Sequence, residues 1–388
     1  MPNYINVLIR NKRLENKWSL ESLSHGICSV SYLSKLEKGT IEPTEDITNK
    51  LLSKLDIHLE TDLNDILPKI KNFYSSSLIF TISESSYVTD GEIDKLINSI
   101  YCLDGLLIKA WESKENINEL KDYLPFFSQE QKKKYYQILV LNNLIDYHEL
   151  LNLFPELDSY YIISDSLYHR GEYAKSIPYY VQYFESASKQ CDIDNMIFAK
   201  LGLGSVYACL LDVTSSIEEY NEALKLIDKT NYPNLKEDVY YNIAATYIEL
   251  EQYDKGLEYL SKVKRKDSLY YHKLAICYEK TGNKSKALST IKRGLKEKSC
   301  FNFLLEIVEY RLLHDDYMHE CKYETLLLDS ITEIKNHFSA GFLYMQENEL
   351  LKYYEYNRRY KEAYELLKKH KINEASSKLV GKNLTCKY

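Results

Sequence analysis

Apolar residues recur at intervals of three and four along most of the chain, and this period predicts helices rather than strands. Near the N-terminus the pattern breaks into short segments. A first helix is predicted over 5–16, a second begins after a cap at Ser19, and a third begins near Ser29 and ends at Gly39. A further helical pattern follows Pro43. The sequence thus predicts a small domain of about five helices over residues 1–67.

The middle of the chain, residues 68–150, has a less regular pattern. Serine-rich runs at 75–77 and 83–86 interrupt it, and helical spacing returns at 92–110 and 129–144. We interpret this region as a helical connector that also contains the first helical hairpins.

Residues 151–388 contain a self-similar pattern in which a small residue recurs beside tyrosines. Ser176, Ser216, Gly256 and Ala287 lie 40, 40 and 31 residues apart, which brackets the 34-residue period of the tetratricopeptide repeat. Two weaker units centre on Glu320 and Ala363. The region resembles tetratricopeptide repeats, which implies helical hairpins stacked into a right-handed superhelix and makes the whole chain all-α.

Composition and charge restrict the function. The 388 residues include only 12 Gly and 7 Pro, and the net charge is −7, so attraction of the whole surface to nucleic acid is not expected. Residues 1–40 hold six Lys or Arg against three Glu, whereas the rest of the chain is acidic in sum. The eight Cys are far apart and form no metal-binding spacing.

No motif typical of an enzyme is present. The chain lacks a P-loop, a dinucleotide fingerprint and a nucleophile elbow, and His25, His272 and His314 have no catalytic partner at motif spacing. We expect no catalysis, no metal and no cofactor. With no signal peptide and no long apolar run, we expect a cytoplasmic location without membrane contact.

The segment from Ser19 to Gly39 combines two capped helices with a short turn that contains Gly26. Together with the run Tyr32-Leu33-Ser34-Lys35-Leu36-Glu37-Lys38-Gly39, it resembles the Cro and repressor helix-turn-helix family. The resemblance implies that Arg13 of the first helix pairs with Glu37. One departure is Leu20, at a position where that family often has a glutamine.

The same resemblance implies which residues meet double-stranded DNA. The third helix would enter the major groove, where small polar, methyl and cationic groups suit the base edges. The implied base-reading residues are Ser29, Val30, Ser31 and Lys35. The implied phosphate contacts are Arg10, Ser19 and Lys38.

In tetratricopeptide arrays the first helix of each pair lines a concave wall along which an extended peptide can lie. The candidate groove residues are Tyr161, Asp165, Tyr168, Phe198, Ser205, Tyr241, Asn242, His272 and Glu279. Asn242 can both donate to and accept from a peptide backbone. The tyrosines have an alternative interpretation, which is ordinary packing between repeats.

The combination of both regions resembles the peptide-pheromone-responsive regulators of Gram-positive bacteria, the RRNPP family that includes PlcR and Rgg. This implies a homodimeric transcription regulator of the quorum-sensing type, in which a short signalling peptide allosterically controls promoter binding. Three alternatives remain open. The repeats serve only dimerisation or protein contacts, or the chain binds other proteins instead of DNA, or the N-terminal domain has become a dimerisation or antitoxin-like module.

Overall fold

A computed structural model of the protein describes residues 4–74, 88–114, 117–230, 233–297, 299–337 and 343–368. Every regular element within these ranges is helical, which confirms the all-α expectation. The serine-rich runs at 75–77 and 83–86 lie outside the described residues. No helix in the described ranges is long and apolar enough to cross a membrane.

Four short helices form the core of the N-terminal domain, whereas a fifth, which begins at residue 67, packs with the connector helices. The hydroxyls of Ser19 and Ser29 accept hydrogen bonds from the backbone N–H groups of Ser22 and Tyr32, so each serine caps the helix that follows it, as predicted. The helices are α1 (Tyr4–Glu15), α2 (Leu20–Ser24), α3 (Val30–Glu37), α4 (Glu45–Lys54) and α5 (Leu67–Tyr74).

The connector is also helical, but the predicted run 92–110 is two helices. The chain turns at Ser99, whose buried hydroxyl donates to the carbonyl of Leu96 and whose oxygen accepts from the N–H of Tyr101. Such local bonds compete with continuation of the helix. The elements are α6 (Asp90–Ile97), α7 (Cys102–Ser113), a 3₁₀ helix (Ile117–Phe126), α8 (Gln129–Leu141) and α9 (Tyr147–Leu153).

Helix α1 belongs to two apolar cores at once. Ile5 and Ile9 pack with α3 and α4 in the core of the N-terminal domain, whereas Val7 and Leu8 pack with the connector helices. A helix buried on both faces cannot separate from either neighbour without exposing apolar surface, so the N-terminal domain and the connector belong to one compact unit, residues 1–159. Residues 160–388 form a second compact unit. The predicted division into a DNA-binding domain (1–67), a connector (68–150) and a repeat domain (151–388) assigns functions to these segments and stays a prediction.

The second region is a series of helical hairpins. Its first helices are α10 (Leu157–His169), α12 (Ile193–Cys209), α14 (Pro233–Glu249), α16 (Ser268–Lys280), α18 (Asn302–Leu313) and α20 (Leu343–Tyr356). Its second helices are α11 (Tyr173–Lys189), α13 (Val213–Ile227), α15 (Tyr253–Leu260), α17 (Lys284–Gly294), α19 (Cys321–His337) and a last helix over 360–368. The direction of the superhelix stays a prediction.

The small residues that define the repeat occupy one structural position. Each is buried and is the fourth residue of a second helix, where a small side chain allows the paired helices to pack closely. In one hairpin the hydroxyl of Ser216 donates to the carbonyl of Gly204 at 2.9 Å. A Cβ on Gly204 would lie 2.5 Å from the ring of Tyr220. The residues at this position are Ser176, Ser216, Gly256, Ala287 and Ala363.

The hairpin turns also repeat one geometry. The residue two positions before the second helix has a positive φ in five hairpins, at Gly171, Leu211, Glu251, Gly282 and Arg358. Only two of these five are glycine, the residue that adopts this conformation without strain. The turn is therefore imposed by helix packing and not by glycine alone.

One predicted repeat centre, Glu320, is wrong. Glu320 precedes α19 and follows a short 3₁₀ turn, Tyr317–His319, that lengthens the connection after α18. The fourth residue of α19 is Glu324, whose carboxylate pairs with Arg359 at 2.7 Å. In this hairpin a charged residue occupies the position that is small in the others, and its partner belongs to the next hairpin.

Candidate nucleic-acid interface and repeat groove

Helix α3 has one buried and one exposed face. Leu33 and Leu36 are fully buried in the core of the N-terminal domain. The opposite face carries the side chains of Ser29, Val30, Ser31 and Lys35, all of which are exposed. All four residues predicted to read bases are thus accessible, with Ser29 at the cap, Val30 and Ser31 in the first turn and Lys35 in the last turn of the helix.

Arg13 of α1 holds the end of α3 through Glu37. Its Nε and Nη2 donate to the two carboxylate oxygens of Glu37 at 2.6 and 2.7 Å, and its Nη1 donates to the carbonyl of Trp18 at 2.8 Å. The side chains are only 12% and 8% exposed. The hydrogen bond that Arg13 donates to Glu37 raises the pKa of Arg13 further, so the guanidinium stays charged and fixes α3 against α1.

Lys54 at the end of α4 was not identified from the sequence. Its ammonium donates to the carbonyls of Ser22, Leu23 and His25 at 2.8, 3.0 and 2.9 Å. These carbonyls end the short helix α2, where a cation is favourable. Lys54 therefore fixes the turn between α2 and α3, although no local sequence signal connects residues about thirty positions apart.

The predicted phosphate contacts have different surroundings. Lys38 is exposed beyond the end of α3, and the hydroxyl of Ser19 caps α2. Arg10, in contrast, donates to the carboxylate of Asp122 at 3.1 Å, and its guanidinium lies 5.8 Å from the ring centre of Tyr123. Both partners belong to the 3₁₀ helix of the connector, so Arg10 is already engaged within its own unit.

The tyrosines predicted to line the groove are packed between helices. The ring of Tyr161 lies 5.1 Å from that of Tyr183, and the ring of Tyr168 lies 5.7 Å from that of Tyr173. The hydroxyl of Tyr241 is buried. Burial raises the pKa of all three predicted tyrosines. Their geometry corresponds to packing between repeats.

The polar groove candidates differ in how much hydrogen-bonding capacity remains. Asp165 is buried and lies 3.4 Å from the imidazole of His169. Ser205 bonds the hydroxyl of Tyr220 at 3.1 Å, and Glu279 accepts two bonds from Arg311 at 2.8 and 2.6 Å.

Three further candidates complete the groove set. Phe198 is half-buried against the core around α12 and α13, and His272 is buried. Asn242 is half-buried, and its side-chain amide makes no hydrogen bond to any other described residue. Of the nine candidates, Asn242 thus keeps both a donor and an acceptor available.

In the part of the chain that the structure describes, no group of three or more His, Cys, Asp or Glu side chains is placed to hold a metal ion. His25 is exposed at the end of α2, and His314 lies 3.1 Å from the carboxylate of Glu320.

Comparison with known proteins connects the N-terminal geometry with a family. A helix-turn-helix family model matches residues 9–61. The transcriptional activator NprA of Geobacillus stearothermophilus is 21% identical over 394 residues, which cover 87% of this chain and 95% of that protein.

Two solved structures were also similar. The crystal structure of Bacillus thuringiensis PlcR in complex with the peptide PapR7 and DNA covers 72% of this chain and 99% of its own, with 18% identity and a TM-score of 0.34. The apo form of the competence regulator ComR from Streptococcus vestibularis covers 81% and 98%, with 16% identity and a TM-score of 0.20. TM-scores this low do not establish a common overall arrangement. Together with the capped helices and the Arg13–Glu37 ion pair, the family match identifies residues 9–61 as a helix-turn-helix domain.

Proposed function

We propose that the protein is a sequence-specific DNA-binding transcription regulator that reads the major groove with α3. The observation that carries the proposal is the exposed face of Ser29, Val30, Ser31 and Lys35 on a helix whose other face is locked in the core. A hydroxyl and an ammonium suit base acceptors, and the methyl groups of Val30 suit thymine. The name of the NprA relative, a transcriptional activator, supports the same function class.

Selection from a random double-stranded DNA library tests this proposal. We expect the full chain to enrich one short motif, and we expect the double variant Ser31→Ala with Lys35→Ala to enrich none. Circular dichroism of the variant controls for folding. Enrichment of the same motif by the variant would contradict the assignment of α3, and no enrichment by the parent chain would favour the module without DNA binding.

We further propose that the repeat region binds a short linear peptide and that binding changes the affinity for DNA. Support comes from the stacked hairpins and from Asn242, whose amide can pair with a peptide backbone whatever its side chains are. A peptide affects DNA binding only if it prefers one of two arrangements of the protein. We also propose that the protein is a homodimer, because two helix-turn-helix domains on one operator double the number of base pairs that are read.

Titration calorimetry with synthetic peptides from the short reading frames beside the gene tests the peptide proposal. We expect one peptide to bind, Asn242→Ala to abolish its binding, and Asn221→Ala to leave it unchanged. Asn221 is the matched control because it is exposed on the second helix α13. If Asn242→Ala binds the peptide as tightly as the parent chain, this amide is not part of the site.

The alternative is a DNA-binding repressor whose repeats serve only dimerisation or protein contacts. The packed rings of Tyr161, Tyr168 and Tyr241 favour it, because they leave less open wall for a ligand than the sequence predicts. Under this alternative, no peptide would bind, while analytical ultracentrifugation would still give a dimer.

A further inference from the structure

A small polar cavity lies among the first helices of the C-terminal hairpins. It has a volume of about 70 Å³ and is lined from α16 by His272, Ile276 and Lys280, and from α18 by Ile307, Val308 and Arg311. From α20 it receives Met345, Gln346, Asn348, Glu349 and Lys352. Spacings of three and four residues place each set on one face of its helix.

Four of the charged residues around this cavity, Glu249, Arg311, Glu349 and Lys352, are already paired. Arg311, a buried residue, donates to both oxygens of Glu279 at 2.8 and 2.6 Å and approaches Glu349 at 3.4 Å. Lys273 is buried behind the wall, 3.3 Å from Glu249, and lies 3.7 Å from the sulfur of Met345. The lining itself holds three carboxylates and three cations, namely Glu249, Glu251, Glu349, Lys280, Arg311 and Lys352. A ligand with a net charge would disturb this balance.

Two buried polar atoms of the lining residues have no partner. Within the part of the chain that the structure describes, neither Nδ1 of His272 nor Oε1 of Gln346 makes a hydrogen bond. Both residues are 2% exposed. Buried polar groups in folded proteins are nearly always hydrogen-bonded, so two orphaned atoms around one cavity indicate that something else occupies it.

The surroundings of His272 favour its neutral imidazole. Burial, together with the nearby charges of Lys273 and Arg311, lowers the pKa of His272 well below its ordinary value. A neutral imidazole with its proton on Nε2 has an acceptor at Nδ1, and Oε1 of Gln346 is also an acceptor. In that tautomer the cavity presents two unpaired acceptors, which an uncharged group with two donors would satisfy.

A carboxamide fits this requirement better than other small groups. Its two N–H bonds can serve the two acceptors, and its carbonyl can accept from the ammonium of Lys280 at the cavity wall. A carboxylate has no donor, an ammonium adds a charge, and a hydroxyl has one donor only. A cavity of about 70 Å³ is also several times larger than one water molecule requires.

We propose that this cavity is a binding site for an uncharged carboxamide, the side chain of an Asn or Gln residue in a peptide ligand. The identification of the carrier as a peptide rests on the proposed function. The chemistry of the cavity does not, because His272 and Gln346 would select a carboxamide on any carrier. The cavity then determines which side chain the repeat region accepts at one position of the peptide, whereas Asn242 binds the peptide backbone.

The test uses the full chain and four amino-acid probes in saturation-transfer NMR. The probes are the N-acetyl methylamides of glutamine, asparagine, methionine and glutamate. Because the methionine side chain has nearly the size of the glutamine side chain without its donors, we expect the glutamine and asparagine probes to bind at least about tenfold more tightly than the methionine and glutamate probes. Equal binding by the methionine probe would overturn the proposal. No signal from any probe would also overturn it and would assign the cavity to bound water.

Variants place the binding in the cavity. We expect Gln346→Leu to lose the preference for amide probes, and Gln182→Leu, an exposed glutamine on α11, to keep it. If Gln346→Leu fails to fold by circular dichroism, Gln346→Met keeps the side-chain length and answers the same question. A preference that survives in both Gln346→Met and His272→Phe would contradict the site.

A peptide experiment separates this inference from the proposed function. For a peptide that binds in calorimetry, we expect replacement of its Asn or Gln by Met to weaken binding about tenfold or more. If the replacement has no effect, the carboxamide site is wrong and peptide sensing stands. If amide probes bind but no peptide changes DNA affinity, the cavity stands and peptide sensing is wrong.

Discussion

Helix α3 and the predicted groove differ in how well their exposed faces can be predicted from the sequence. All four base-reading candidates on and beside α3 are exposed, whereas Tyr161, Asp165 and His272 in the repeats are buried. Helix α3 has a single buried face. A first helix of a repeat lies between its own partner and the neighbouring hairpins, so α12 buries residues all around its circumference.

The period of apolar residues therefore identifies the accessible face of a helix only where that helix packs against neighbours on one side. In α12 and α16 the apolar residues do not mark one side. For such helices, the ligand-facing residues are found by their unsatisfied hydrogen bonds, as at Gln346, and not by their spacing.

The largest effect is expected from removing the ion pair that holds α3 against α1. Arg13→Ala leaves the carboxylate of Glu37 buried without its partner, so we expect the free energy of unfolding of the N-terminal unit to fall by about 2–4 kcal/mol. Urea denaturation of the full chain, followed by tryptophan fluorescence, measures it. The control Lys12→Ala removes the exposed pair with Glu15 and should cost less than about 0.5 kcal/mol. Equal effects would show that the buried pair does not hold α3.

A smaller effect is expected from the connector. Asp122→Asn removes the carboxylate that engages Arg10, and we expect DNA affinity to rise about fivefold, with a salt dependence steeper by about one phosphate contact. Fluorescence anisotropy at several salt concentrations measures both. Asp65→Asn removes the same charge at an exposed position of the same unit and serves as the control. The gain should disappear when Arg10→Ala is added, and its survival there would remove Arg10 from the interface.

The smallest effect concerns the hairpin turns of the repeats. Leu211 has a φ of +59° and is exposed, so Leu211→Gly relieves left-handed strain and should stabilise the repeats by about 0.5–1 kcal/mol. Gly282→Ala is the reverse test, because an added Cβ there meets nothing within 4 Å, and it should cost about 1 kcal/mol. Thermal unfolding measures both variants. Changes of the same sign would contradict a shared turn geometry.

The features that the sequence could predict are local. The caps at Ser19 and Ser29 depend on residues three positions away, and the small residue of each repeat depends on one helix pair. The pairing of Arg13 with Glu37 came from the family resemblance, since their 24-residue separation gives no pattern of its own.

The features that the sequence could not predict depend on distant segments. Asp122 engages Arg10 across 112 positions, and the Lys273–Met345 contact spans 72. Hydrophobic period contains no information about which distant residue completes a polar site. For this reason the cavity of His272 and Gln346 was not foreseen, although His272 itself was among the groove candidates.

The central claim, that α3 reads base sequence, is tested most directly by comparing Lys35→Ala with Lys38→Ala on the selected operator and on operators with single base-pair changes. We expect Lys35→Ala to lose about 1–3 kcal/mol on the parent operator and to become indifferent at one base pair. Lys38→Ala should weaken all operators equally and reduce the salt slope by about one contact. If Lys35→Ala also weakens every operator equally, α3 contributes charge but does not read sequence.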